Sequence, residues 1–221
     1  MNLVDRYYEI KSKIPIGVKL VVVSKTKPAE MLKLLSQQTG HLHFGENRVI
    51  ELEAKQAILS KDICWHFIGH LQTNKIKHIA PFVGMIQSVD SFRLLIEINK
   101  EAKKNKRVIS CLLQFHIASE ETKFGFLFDE ACLMLDNSLF QELKNVKICG
   151  VMGMATYTKD KQQIRKEFKT LFEVYSMLKT RYFALDPAFC EISMGMTDDY
   201  TLAIEEGSTI VRVGTGIFGE R

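Results

Sequence analysis

Short apolar runs alternate with charged, amphipathic segments along this chain. The apolar runs are rich in strand-forming residues and cover 18–24, 41–45, 64–69, 84–89, 108–117, 146–153, 189–194 and 209–214. Between them, segments of helical period cover 28–38, 47–60, 72–79, 91–105, 128–136, 160–181 and 198–206, and a further helix over about 3–13 leads the chain. Near-continuous apolar strands separated by helices predict an α/β protein whose parallel sheet is covered by helices. Eight such units fit a closed (β/α)8 TIM barrel, here with an extra N-terminal helix, and 221 residues lies at the compact end for that fold. A doubly wound open sheet is the alternative, but no G-x-G-x-x-G follows the first strand. No linker, repeat or low-complexity tract interrupts the pattern, which predicts one domain over residues 1–221.

In such a barrel, functional groups sit where strands end. Those positions hold Ser24-Lys25, Gly45-Glu46-Asn47, Gly69-His70, Ser88 to Asp90, Ser119-Glu120, Met152-Gly153, Ser193-Met194-Gly195 and Arg212 to Gly216, a polar and glycine-rich set. SMGMT (193–197) leads into a helix with Thr197 as N-cap, Asp198 and Asp199 in its first turn and Gly207 at its end. RVGTG (212–216) ends the last strand. Glycines let backbone N–H groups approach an anion, and Ser and Thr hydroxyls add donors. The loops after strands seven and eight often bind phosphate in barrels, although glycine turns also serve closure alone.

VVVSKTKP (21–28) places Lys25 across the mouth from that cradle. A lysine there suggests a Schiff base to a phosphorylated carbonyl compound. That chemistry needs a neutral amine, which desolvation and nearby positive charge both favour. Lys27 shares the strand parity of Lys25 and is expected to be solvated beside Pro28. Both lysines also fit a plain charged strand end.

Composition narrows the classes. The chain is 46% hydrophobic and 25% charged, and its net charge of +4 is spread without a basic tract. Nucleic-acid binding is not expected, and only a modest anion preference is supported. No apolar stretch reaches membrane-spanning length, and MNLVDRYYEI carries acids where a signal peptide would be apolar, so a soluble, cytoplasmic monomer without membrane partners is expected. Five widely spaced cysteines, mostly inside apolar runs, read as buried free thiols in a reducing compartment. His41 and His43 share a strand face, but no third ligand has suitable spacing, so no metal site is expected. The spacing of His66 and His70 has no helical meaning. Met152, Met154, Met194 and Met196 read as rim packing, and the lysines of 160–181 as a solvated face.

VVVSKTKP, HFGENRV, WHFIGHLQTNK, QSVDS, ISMGMTDDY and VRVGTGIFGER follow one another from about residue 18 to the C-terminus. In that order they resemble the YggS/PROSC family of pyridoxal 5′-phosphate (PLP) homeostasis proteins. The resemblance implies a barrel similar to the N-terminal domain of alanine racemase, with PLP held as an internal aldimine. It implies that Lys25 carries the aldimine and that Ser193, Gly214 and Thr215 bind the phosphate. Arg212 would lie near the pyridine nitrogen and Asn47 near the cofactor. The family's I-G-x-L-Q-x-N-K loop falls on Ile68 to Lys75, with His70 at its variable position.

Three departures bear on the outer loops and partner contacts. Lys123 and Gly125 keep the family's lysine-x-glycine but enclose Phe124, MGMATY (152–157) differs from the usual loop, and Thr197 stands where serine is usual.

A guanidinium at the pyridine nitrogen disfavours protonation there and weakens PLP as an electron sink. Racemisation needs a second base, which in alanine racemase comes from a second domain. This chain ends at Arg221, directly after the closing segment, and Tyr157 is the only tyrosine near a predicted rim. The expectation is therefore an open cofactor face and a non-catalytic role: buffering PLP, delivering it to PLP-dependent apoenzymes and influencing amino- and keto-acid balance. A PLP-dependent amino-acid racemase or lyase is the first alternative. A PLP-free Schiff-base aldolase is the second.

Overall fold

The structure is a computed structural model that describes residues 1–120 and 124–219. Eight parallel strands close into a barrel in chain order: β1 (Lys19–Val23), β2 (His43–Glu46), β3 (Cys64–Phe67), β4 (Met85–Val89), β5 (Ile109–Gln114), β6 (Val146–Met152), β7 (Glu191–Ser193) and β8 (Ile210–Val213). β8 closes on β1 with Lys19 opposite Ile210 and Val21 opposite Arg212. The expected α/β barrel is therefore the observed fold.

The helices are α1 (Leu3–Ser12), α2 (Ala29–Thr39), α3 (Val49–Ile58), α4 (Ile76–Ile79), α5 (Phe92–Lys104), α6 (Phe128–Asp136), α7 (Ser138–Gln141), α8 (Lys161–Tyr182), α9 (Tyr200–Glu205) and α10 (Thr215–Phe218). A 3-10 turn over Thr73–Lys75 precedes α4. Some of their starts follow ordinary capping chemistry. Asn2 and Asp5 exchange side-chain and backbone hydrogen bonds at the head of α1, and the Asp160 carboxylate accepts from Gln162 and Gln163 N–H at the head of α8. α7 and α10 have four residues each, too few for a periodicity to show. α9 starts at Tyr200 with Asp199 at its N-cap position, so Thr197 is not the cap expected of it.

Alternation along each strand divides two cores. Val22, Phe44, Trp65, Phe67 and Leu113 face the helices, where they pack with Phe168 and Phe189. Val21, Met85, Leu112, Cys149, Met152 and Ile210 fill the barrel interior. α1 is tied to the chain's last helix, because Arg6 Nε donates to the Ile217 carbonyl at 2.7 Å.

Two expectations need correction. β2 starts at His43, so His41 lies outside the strand and does not share its face. Its imidazole meets the Tyr7 hydroxyl at 3.3 Å, and burial pushes its pKa down to about 4. All five cysteines are free, but Cys190 is exposed and Cys64 half-buried rather than buried. No described helix is long and apolar enough to cross a membrane.

Candidate cofactor site

A cavity of about 900 Å³ opens at the C-terminal ends of the strands, where the sequence placed the polar rim. Lys25, Asn47, Arg212, Gly214 and Thr215 all line it, with Val23, Ile68 and Met154 among the apolar wall residues. That volume lies in the usual range for small-molecule sites.

Lys25 owes its position to a tight turn. The Lys27 N–H donates to the Ser24 carbonyl at 3.0 Å, closing residues 24–27. Thr26 sits in the left-handed region at φ 63°, where a β-branched residue costs about 1–2 kcal/mol. Its N–H donates to Glu51 at 2.8 Å, which helps hold it there. Lys25 is the exposed lysine and lines the cavity, whereas Lys27 is half-buried and donates to the Gly219 carbonyl at 3.1 Å. The expectation that Lys27 is the solvated one is reversed.

The base of this turn is anchored by a buried ion pair. Lys55 Nζ, on α3, reaches the Glu46 carboxylate at 2.5 Å and the Ser24 carbonyl at 2.7 Å. The Ser24 hydroxyl donates to the same carboxylate oxygen at 2.6 Å. Burial pushes the Glu46 carboxyl above its ordinary range, and the hydrogen bonds from Lys55 and Ser24 oppose that shift. The sequence reading placed Glu46 at the rim, but its side chain points outward beneath α3, and Asn47 turns to the cavity. Asn47 Oδ1 is buried and has no hydrogen-bond partner among the described residues. Gly69 allows this approach, since a Cβ there would lie 2.3 Å from the Asn47 carbonyl oxygen.

The loops after β7 and β8 meet at a single hydroxyl. Thr197 Oγ1 accepts from the N–H groups of Gly214 at 3.3 Å and Gly216 at 3.5 Å, and it lies 3.1 Å from Thr215 Oγ1. Two amides and two hydroxyls thus gather beside the cavity, where an anion would compete with Thr197 Oγ1 for the amides. Gly195 positions the SMGMT loop. It lies at φ 91°, and a Cβ there would stand 2.5 Å from the Ala203 methyl.

Ser193 lies elsewhere. It is fully buried in the barrel interior and is not on the cavity wall. Arg212 Nη1 donates to its hydroxyl at 2.6 Å, and the hydroxyl donates to Gln87 Oε1 at 2.7 Å. The phosphate contact expected of Ser193 rests on the family resemblance alone, and Thr197 holds the hydroxyl that meets the Gly214 and Gly216 amides. The sequence carried a signal for this, because Thr197 closes the same SMGMT motif.

Arg212 is buried, and its Nη2 donates to the Gly153 carbonyl at 3.0 Å. Burial lowers its pKa to about 10, with Asp199 opposing, so it remains a cation at neutral pH. The chain of donors continues inward. The Ser193 hydroxyl accepts from Arg212 and donates onward to Gln87 Oε1, and Gln87 Nε2 then donates to His66 Nδ1 at 2.9 Å. His66 Nε2 therefore carries the proton and donates to His43 Nδ1 at 3.1 Å. Burial pushes His66 down to about 3, consistent with a neutral ring.

His70 and Phe124 form part of the rim. Their rings stack at 4.0 Å between centroids, and His70 Nδ1 meets Asp90 at 2.9 Å. Tyr157 also borders the cavity and is 89% exposed. Lys123 lies outside the described residues.

The sequence matches the family of the alanine racemase N-terminal domain over residues 2–221. It is 40% identical to a pyridoxal phosphate homeostasis protein of Aquifex aeolicus, over 92% of this chain and 87% of that one. A protein of the same name from Bos taurus is 34% identical over 93% of this chain and 78% of its own length.

The chain belongs to the pyridoxal phosphate homeostasis protein family.

Solved structures agree with that membership. PipY of Synechococcus elongatus PCC7942, with PLP bound, superposes with a TM-score of 0.88 at 32% identity, covering 99% of this chain and all of that one. The alanine racemase of Clostridium difficile 630 shares the fold alone, with a TM-score of 0.74 at 13% identity, and this chain covers 57% of it. The curated relatives of this family are named for homeostasis and not for a reaction.

Proposed function

We propose that this protein binds PLP in the cavity at the C-terminal face of its barrel and serves intracellular PLP homeostasis by holding and handing over the cofactor. The observation that carries this reading is the shared cavity wall. A reachable amine at Lys25, a buried cation at Arg212 and the polar groups of Thr197, Gly214 and Thr215 all meet one space of small-molecule size.

The residues fit PLP group by group. The Thr197 and Thr215 hydroxyls and the Gly214 amide line the cavity and would hold the phosphate, with the Gly214 amide turning to it from Thr197 Oγ1. Asn47 brings a buried oxygen that lacks a donor among the described residues. When bound, PLP supplies an aldehyde that condenses with a primary amine, and a pyridine ring that draws electrons when protonated.

Lys25 is the amine in this reading. The Thr26 turn holds it at the cavity, and the buried Glu46–Lys55 pair steadies the turn from behind. Arg212 is assigned to the ring nitrogen by the family resemblance. A group that can only donate and stays charged at neutral pH disfavours a second positive charge beside it. The site therefore favours holding over carbanion chemistry.

A racemase reading needs a positioned base on each face of a substrate carbon. Tyr157, the one tyrosine on the cavity wall among the described residues, is too exposed to be held as a base. The exposure of Lys25 suits exchange of PLP with solvent or with an apoenzyme. Titrating PLP into the protein tests the reading: covalent binding should give a yellow protein, and Lys25→Ala should remain colourless. A wild-type protein that takes up no PLP would remove the reading.

A further inference from the structure

At the opposite face of the barrel, where the strands begin, three side chains converge that the cavity does not use. His43 and Cys64 are direct partners across the β2–β3 register, and His66 lies two residues further on the same face of β3. His43 Nδ1, Cys64 Sγ and His66 Nε2 all lie within 4.8 Å of one another. His43 Nδ1 is 3.1 Å from His66 Nε2, and Cys64 Sγ is 3.8 Å from that same nitrogen. Zinc bonds of about 2.0–2.1 Å to nitrogen and about 2.3 Å to sulfur, at tetrahedral angles, place such atoms roughly 3.4–3.6 Å apart. The two spacings to His66 Nε2 differ from these values by only a few tenths of an ångström.

The surroundings support a ligand set. Gly84 leaves room for the thiol, since a Cβ there would come within 2.6 Å of Cys64 Sγ. The three ligands sit on adjacent strands, which hold geometry better than loops. Lys19 lies close by, but its charge is matched by Glu191 at 2.9 Å, and Glu191 also accepts from the Thr209 hydroxyl at 2.7 Å. His43 and Cys64 are half-buried, which leaves solvent a route in and a fourth coordination position for water.

We propose that His43, Cys64 and His66 form a three-ligand site for a borderline transition-metal ion of the zinc(II) class. Two imidazoles and a thiolate suit such ions and not magnesium or calcium. Binding releases one proton to solvent, from Cys64. His66 exchanges its Nε2 proton for one on Nδ1, with no net gain or loss.

The reversed tautomer needs an acceptor at Nδ1, and Gln87 supplies it by turning its amide so that Oε1 faces the ring. Gln87 Nε2 then faces Ser193, whose hydroxyl accepts from both Gln87 and Arg212 and gives up its own donation to Gln87 Oε1. Metal at the base thereby resets the hydrogen bonds beneath the cavity. The sequence reading excluded a metal because it sought the third ligand near His41 and His43 in the chain. The ligands come instead from a neighbouring strand.

The test is titration of the chelator-treated full-length protein with cobalt(II), followed as a difference spectrum. The expected result is a thiolate-to-cobalt charge-transfer band with tetrahedral visible bands, saturating at one equivalent and displaced by zinc. Cys64→Ser should abolish the charge-transfer band, and His43→Gln should weaken cobalt binding at least tenfold, with both variants folded by circular dichroism. Absence of the band at one equivalent overturns the site. So does a band retained in Cys64→Ser, which would assign it to another thiol such as exposed Cys190, or undiminished binding by His43→Gln.

Discussion

The Arg212 guanidinium, on the cavity wall, donates to the Ser193 hydroxyl buried in the barrel at 2.6 Å. This contact separates two hydroxyls of one short motif. Ser193 holds the buried cation in place, and Thr197 meets the 214–216 amides. The two substitutions should therefore have opposite signatures. Ser193→Ala leaves Arg212 Nη1 and Gln87 Oε1 without their shared partner and should cost about 1–3 kcal/mol of stability. Thr197→Val should leave stability nearly unchanged while weakening binding of PLP relative to pyridoxal, which has no phosphate. Denaturant melts and paired titrations of the two ligands read both effects.

The buried Glu46–Lys55 pair predicts a pH-dependent loss. Its side chains are 0% and 8% exposed. Lys55→Met leaves the carboxylate without its cation, and removal of one partner from a buried pair costs about 3–5 kcal/mol at neutral pH. The Glu46 pKa is already raised by burial, so its favourable contribution is complete below its ordinary value of 4.5 and is lost as pH rises through the folded value. The cost of Lys55→Met should accordingly shrink at pH 5 relative to pH 7.5. Urea melts at the two values decide it, and an equal cost at both would contradict the assignment.

Phe124 stacks on His70 at the cavity rim. Such a ring pair is worth about 0.5–1.5 kcal/mol. Phe124→Ala should raise the dissociation constant for PLP by about two- to tenfold, mostly through faster release to a trapping apoenzyme in stopped flow. Overall stability should change little, since Phe124 is half exposed.

The fold was legible because its strands are apolar along nearly their whole length and its helices carry one apolar face. Those two periods survive in a single sequence, as the eight strands observed show. What remained hidden depended on neighbours distant in the chain. Strand parity could not separate Lys25 from Lys27. The left-handed turn at Thr26 did so, with the Gly219 carbonyl that receives Lys27. Ser193 and Thr197 look equivalent within SMGMT, and only Arg212 and Gln87, from two other strands, divide their roles. His43, Cys64 and His66 were likewise invisible as a group, because the contact that unites them is the β2–β3 register.

The central claim is that Lys25 is the amine that holds PLP. Loading the protein with PLP, reducing it with borohydride and mapping the labelled peptide tests that claim most directly. The account predicts one label, on Lys25, and none in Lys25→Ala. A label on Lys27 or Lys75, or no label at all, would contradict it.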